Sequence, residues 1–146
     1  MNEIKFRGKI KNSDEWAFGF PYSEKGKAFI MEGNILDFCY QVEDDSELIV
    51  EHNFYVIAHE VDPETVGQYI GLKDKNGKEI YKDDVVEFMY KDPNNMENSK
   101  EVRCQIVFHE GMFCLKWKDG YINKAPLNPE KYTVVGKIHE NPDLLK

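Results

Sequence analysis

A mainly β fold is what this 146-residue sequence predicts, and three observations predict it. Apolar residues recur at every second position along most of the chain, the period of a strand with one face buried. Turn-forming pairs punctuate that alternation at Asn76-Gly77, Glu110-Gly111 and Asp119-Gly120. The clearest helix start, Asp62-Pro63-Glu64, is cut short by Gly67 and Gly71.

In the N-terminal region, residues 1–70, the first strand alternates Ile4, Phe6, Gly8 and Ile10 with Lys5, Arg7, Lys9 and Lys11. Its two faces are therefore apolar and cationic. Trp16, Phe18 and Phe20 alternate next. Pro21 to Gly26 reads as a turn, Lys27 to Met31 as a return strand, and Glu32-Gly33-Asn34 as a second turn. Further strands are expected over Ile35–Val42, Leu48–Val50 and Phe54–Val61, with an acidic loop at Glu43-Asp44-Asp45-Ser46-Glu47. Asp62 is placed to cap one helical turn with its carboxylate, Pro63 takes the first helical position, and Glu64 favours the positive end of the dipole. Together these strands form a β-meander.

The C-terminal region, residues 71–146, follows a hairpin whose strands, Tyr69–Leu72 and Glu79–Tyr81, flank Asn76-Gly77. Both turn residues accept the positive φ that a two-residue turn demands. Five strands are expected after it: Asp84–Tyr90, Glu101–Phe108, Met112–Lys118, Tyr121–Ala125 and Lys131–His139. The polar run 91–100 reads as a long mobile loop. Five short strands with one long early loop fit an SH3-like small β-barrel, whose closure or near-closure hides sheet edges. Alternation nominates its interior: Val86, Phe88 and Tyr90; Val102, Cys104, Ile106 and Phe108; Phe113, Leu115 and Trp117; Tyr132, Val134 and Ile138. A core of this size holds the barrel only narrowly against chain entropy. No Gly/Ser- or Pro-rich linker separates the halves. The N-terminal region is therefore expected to pack on the barrel. Asn141-Pro142 begins a second short helical turn.

The net charge of −8 is uneven: residues 1–70 carry 14 acidic and 6 basic side chains, residues 71–146 carry 13 of each. An acidic chain repels nucleic acid at long range, which disfavours that partner. No apolar run approaches the ~20 residues of a membrane helix. The start Met1-Asn2-Glu3-Ile4-Lys5 lacks a signal-peptide pattern. A cytoplasmic protein with no membrane partner is expected. Cys39, Cys104 and Cys114 make an odd count without a Cys-x-x-Cys, so small buried thiols are expected in place of a disulfide framework or metal site.

No catalytic constellation emerges. His52, His59, His109 and His139 form no His-Glu-x-x-His, and Ser13, Ser23, Ser46 and Ser99 sit in polar turns without Gly-x-Ser-x-Gly. Asp83-Asp84 is the most tempting acid pair, yet neighbours on a strand point to opposite faces. The glycines of the central hairpin lack the Lys-Ser/Thr of a phosphate loop. No catalytic, cofactor-binding or metal-binding residue is assigned, and a metal-dependent hydrolase is the weakest alternative. Two surfaces are the candidates for binding. One is the cationic strand face Lys5, Arg7, Lys9 and Lys11, which suits phosphate or an acidic protein; as a plain solvated face it would pair with the acidic loop or protect an edge. The other is the hairpin around Trp117, with Lys116, Lys118, Tyr121 and Lys124, where cations interleaved with aromatics suit bases and phosphates. Trp117 shares its alternation with Phe113 and Leu115, so it is also a core candidate.

Three blocks carry a resemblance. They are Glu3-Ile4-Lys5-Phe6-Arg7-Gly8, the run from Val61 to Val86, and Val134-Val135-Gly136-Lys137-Ile138-His139-Glu140-Asn141-Pro142-Asp143-Leu144-Leu145. At the start, middle and end, they make the whole chain similar to the YopX family of phage and prophage proteins. That family commonly has Gly-Asp-Ile/Val after its Ile-Tyr pair; here Asp83 replaces the glycine, which bears on the geometry of that turn. The resemblance implies a mostly β protein with an SH3-like barrel and no assigned biochemical activity, so no site residue is carried over from it. The expectation is a phage or prophage accessory protein of the bacterial host's cytoplasm that binds or self-assembles and is not an enzyme. Its partners would be itself as a homo-oligomer, or a phage or host protein; a nucleic-acid-binding barrel is the alternative. No cofactor is expected.

Overall fold

The computed structural model describes residues 3–32 and 57–146. The second turn at Gly33-Asn34, the expected strands 35–42 and 48–50, the acidic loop, Cys39, His52 and the start of the 54–61 strand lie outside these residues. The described chain is mainly β, as predicted, with three short 3-10 turns. It forms two compact units, Lys5–Val66 and one built on Gly67–Lys146.

The first unit is an antiparallel sheet in the order β4-β3-β2-β1, made of β1 (Phe6–Lys9), β2 (Trp16–Glu24), β3 (Lys27–Glu32) and β4 (Ile57–Val61). Ala17, Ile30 and Val61 are its buried core. Gly8 lies under Val61, where a Cβ would meet the valine methyl at 2.8 Å, so close packing accounts for the glycine. The expected turn from Pro21 is shorter than predicted. β2 runs through Pro21 to Glu24, and Lys25-Gly26, at φ 51° and 78°, closes the hairpin alone. Pro21 is tolerated because β1 pairs β2 only as far as Gly19, so no β1 carbonyl there requires the N–H that proline lacks. The 3-10 turn Pro63–Thr65 forms as predicted, but the Asp62 carboxylate does not cap it. Thr65 supplies the side-chain link instead: its Oγ1 donates to the Asp62 carbonyl at 2.6 Å and accepts the Lys9 N–H at 2.9 Å.

The second unit begins with the hairpin β5 (Gly67–Lys73) and β6 (Glu79–Tyr81). Its turn is not the two-residue form predicted: only Gly77 has positive φ, and the loop spans Asp74 to Lys78. The Asp74 carboxylate organises it, one oxygen accepting the N–H groups of Asn76 and Lys78, each at 2.9 Å. A five-stranded antiparallel sheet follows in the order β10-β9-β8-β7-β11. Its strands are β7 (Asp84–Asp92), β8 (Asn95–His109), β9 (Met112–Trp117), β10 (Ile122–Asn123) and β11 (Thr133–Lys137). The terminal strands of this sheet are not partners, so its barrel-like packing is not closed.

Ile80, Val86, Cys104, Ile106, Leu115, Tyr132 and Val134 form the buried core, with Phe88, Phe113 and Trp117 packed against it. Phe108, predicted inward, is 55% exposed. β7 pairs β8 no further than Gln105, so nothing from β7 covers that end. Val85 and Cys114, on the opposite alternation, are fully buried, so the middle of this sheet is covered on both faces. The loop expected over 91–100 is instead a ribbon, with β7 and β8 joined by a turn at Pro93-Asn94 and a bulge before Ser99. An exposed polar ribbon has no buried face and so no alternation to betray it. Glu110-Gly111, at φ 49° and 82°, closes the β8–β9 hairpin as predicted.

Candidate functional site

The concave surface of the second unit is a groove of about 620 Å³. Phe88 and Tyr90 reach it from β7, Leu115 and Trp117 from β9, and Tyr132 from the residue before β11. These are same-face positions on their strands, which is why the alternation that builds the core also builds the groove. The rings of Tyr90 and Trp117 stand at 85° with centroids 5.3 Å apart, those of Phe88 and Trp117 at 77° and 6.3 Å. Phe88 also packs on Tyr132 at 5.1 Å. Tyr132 is buried and anchored, its hydroxyl accepting the Asn128 N–H at 3.0 Å; burial pushes that hydroxyl's pKa up. The Trp117 indole N–H is shut off from water and has no acceptor among the described residues.

Two turns and one strand bring lysines to the rim. Lys75 comes from the β5–β6 turn, Lys91 from the ribbon, and Lys131 from the 3-10 turn Pro129–Lys131. Lys75 is held in place through its neighbours. Its backbone N–H donates to the Tyr132 carbonyl at 3.1 Å, and the second oxygen of Asp74 accepts the Val134 N–H at 3.0 Å. Burial alone would raise the Asp74 pKa, but the N–H groups of Val134, Lys78 and Asn76 outweigh it and hold the carboxyl below its ordinary value. Two carboxylates also line the groove, Glu87 and Glu101. The Arg103 guanidinium bonds Glu87 at 2.7 Å and holds its pKa down.

The predicted cationic strand is put to other uses. Arg7 is buried, 4% exposed, with its guanidinium 5.1 Å from the Trp16 ring centroid. Lys9 lies 3.8 Å from Asp14, and Lys11 bonds Glu60 at 3.1 Å. Lys5 is half-buried. Of the second predicted set, Trp117 enters the groove, but Lys116, Lys118, Tyr121 and Lys124 are not in its lining. Lys116 and Lys118 are exposed, Tyr121 is 64% exposed, and Lys124 is engaged by Glu110. Alternation located the groove's aromatic floor. Nothing in the linear sequence marks Lys75, Lys91 and Lys131, which converge from segments far apart along the chain.

The acid pair also separates. Asp83 has φ 70°, the left-handed region a glycine would occupy freely. Its carboxylate accepts from Lys82 Nζ at 2.8 Å and Gln105 Nε2 at 2.9 Å, with His139 Nε2 at 3.3 Å. Burial raises its pKa, and the Lys82, Gln105 and His139 hydrogen bonds more than reverse this. Asp84 is fully buried and accepts the Tyr81 N–H at 2.8 Å. Cys104 and Cys114 are buried free thiols, opposite Trp117 and Val107 and not each other. Burial pushes the Cys104 pKa up to about 12 and raises that of Cys114. Among the described residues no group of three His, Cys, Asp or Glu side chains could hold a metal ion, and no helix is long and apolar enough to cross a membrane.

A model of the YopX protein family matches residues 5–146. The crystal structure of protein EF1440 from Enterococcus faecalis is similar over 100% of both chains, with TM-score 0.54 and 20% identity, a likeness of fold alone. No curated protein matches this chain.

Proposed function

The chain belongs to the YopX protein family, and from that premise we propose that it is a phage- or prophage-encoded accessory protein of the host cytoplasm that acts by binding and not by catalysis. The observation that carries this is the aromatic groove of about 620 Å³, within the range of ligand sites and rimmed by three lysines. The buried carboxylates support the same conclusion. Asp74, Asp83 and Asp84 are committed to internal hydrogen bonds, which is the use structural carboxylates have and not that of an acid–base pair. The partner is another protein or a second copy of this chain.

The test is affinity capture from induced host cells with wild type and a Lys91→Glu/Lys131→Glu variant side by side, both shown folded by circular dichroism. A partner retained by wild type and lost by the variant supports the groove. Equal retention removes it. Light scattering across salt and protein concentration tests self-assembly, and a single-chain mass throughout removes that form of the proposal.

A second reading, a nucleic-acid-binding module, is favoured by Tyr90 and Trp117 standing beside Lys75, Lys91 and Lys131. The net charge of −8 weighs against it. Titration with single- and double-stranded oligonucleotides at low salt decides: binding that weakens steeply with salt supports it, and no binding at micromolar protein rejects it.

A further inference from the structure

We infer that Asn76 is a self-modifying site: the Gly77 nitrogen displaces its side-chain amide to give isoaspartate, at a rate set by Asp74. This does not depend on what the groove binds.

The reactive pair sits in the open. Asn76 and Gly77 are both exposed, and a Cβ built on Gly77 would meet nothing within 4 Å, so no neighbour crowds a ring closing there. Gly77 also brings no side chain of its own to hinder the attack. Lys75 and Lys78 flank the pair, both exposed, and nearby cations favour the anion left when the Gly77 nitrogen loses its proton.

The step needs only water. A solvent base takes the Gly77 N–H proton, and the nitrogen attacks Asn76 Cγ. A C–N bond forms, the Cγ–Nδ2 bond breaks, and ammonia leaves with a proton from water. Water then opens the cyclic imide. Addition at Cγ gives aspartate; addition at the Asn76 backbone carbonyl carbon gives isoaspartate, with the main chain rerouted through Cβ and Cγ. Nothing is oxidised or reduced.

The fold restrains this reaction. The Gly77 N–H donates to the Asp74 carbonyl at 2.9 Å, and one Asp74 carboxylate oxygen accepts the Asn76 and Lys78 N–H groups, each at 2.9 Å. Ring closure requires the Gly77 nitrogen to swing about the Asn76 Cα–C bond toward Cγ, which breaks its bond to Asp74. The second carboxylate oxygen accepts the Val134 N–H at 3.0 Å, so the turn is anchored to β11. Local opening of this turn is therefore the gate to reaction. The product undoes the gate. Isoaspartate lengthens the main chain by one methylene and adds a negative charge between Lys75 and Lys78. The longer path moves the Lys78 N–H off the oxygen it shares with Asn76 and loosens Lys75, whose N–H bonds the Tyr132 carbonyl at 3.1 Å.

The experiment ages the full chain in mildly alkaline buffer and follows the amide-to-acid mass gain at Asn76 by peptide mapping, with fragmentation that distinguishes isoaspartate. Folded wild type, wild type unfolded in guanidinium chloride, Asp74→Asn and Asp74→Ala are compared, the variants checked by circular dichroism. Folded wild type should convert about tenfold more slowly than the unfolded chain, and Asp74→Ala should recover most of that difference. Asp74→Asn, which keeps an acceptor and loses the charge, should convert about threefold faster than wild type. If Asp74→Ala does not fold, Asp74→Asn and the unfolded chain still decide. No isoaspartate at Asn76 in any sample overturns the site. Equal rates in folded and unfolded chains overturn the protection, and an Asp74→Asn chain no faster than wild type overturns the role of the carboxylate. Aged isoaspartate chains, separated by ion exchange, should melt below Asn76→Asp, which adds the charge without the methylene; equal melting overturns the effect on the turn.

Discussion

Two groups of cations in this molecule, Arg7, Lys9 and Lys11 on β1 and the turn after it, and Lys75, Lys91 and Lys131 at the groove rim, are chemically alike and serve opposite ends. In the first group the charges turn inward or sideways: Arg7 is buried against Trp16, Lys11 is bonded to Glu60, and Lys9 lies near Asp14. At the rim they stand exposed around a concave aromatic surface. A run of cations on one strand face is conspicuous in sequence, yet the fold consumes it. The set available to a ligand is scattered over two turns and a strand. The lesson is that linear charge density reports composition, while availability depends on which counter-charges the fold brings alongside.

The comparison makes stability and binding separable, and substitutions can break it. The largest effect is expected at Asp74, which ties the Lys75 turn to β11. Asp74→Ala leaves the N–H groups of Asn76, Lys78 and Val134 without their acceptor and should cost about 3 kcal/mol in urea unfolding. It should also weaken ligand binding by releasing Lys75, the one place where the two properties are coupled. The sign of the pH dependence follows. The Asp74 and Asp83 pKa values are lowered in the native state, so their stabilisation is present above the unfolded carboxyl value of about 4 and is lost as the pH falls through the folded values. Urea midpoints measured downward from about pH 5 should fall for wild type and fall less for Asp74→Asn.

Arg7→Ala comes next, at about 2 kcal/mol, from lost packing and the lost ring contact of a buried guanidinium. Binding in the groove should be untouched; if Arg7→Ala instead lowers affinity and leaves stability alone, the contrast between the two cation sets is wrong. Asp83→Gly tests the turn the family commonly builds with glycine. It relieves a positive φ worth about 1 kcal/mol but removes the Lys82, Gln105 and His139 contacts. Net destabilisation of about 1 kcal/mol is expected in thermal unfolding, because hydrogen bonds to a charged, mostly buried group outweigh the backbone relief. The smallest effect belongs to the rim. Lys91→Glu/Lys131→Glu should shift stability by no more than about 0.5 kcal/mol while changing ligand preference. Lys11→Ala, which removes an exposed pair, should do little to either.

What the sequence determined by itself is local. Two-residue alternation announced strands, and the core positions Val86, Cys104, Ile106, Leu115, Tyr132 and Val134 followed from it because a strand's side-chain period is fixed by backbone geometry. Glu110-Gly111 and the 3-10 turns begun by Pro63 and Pro142 were legible for the same reason: φ preferences belong to single residues. The 91–100 ribbon was not, since solvent faces both its sides. Neither was the Asp74 turn, whose geometry is set by a carboxylate that also holds β11, 60 positions away. The groove divides along the same line. Its aromatic floor is a consequence of alternation, whereas its rim, its ring angles and the contacts of Arg7, Lys9, Lys11 and Lys124 were decided only by tertiary structure. Strand register, close packing and ion pairing act between residues that meet in space, and no short-range pattern encodes which residues those will be.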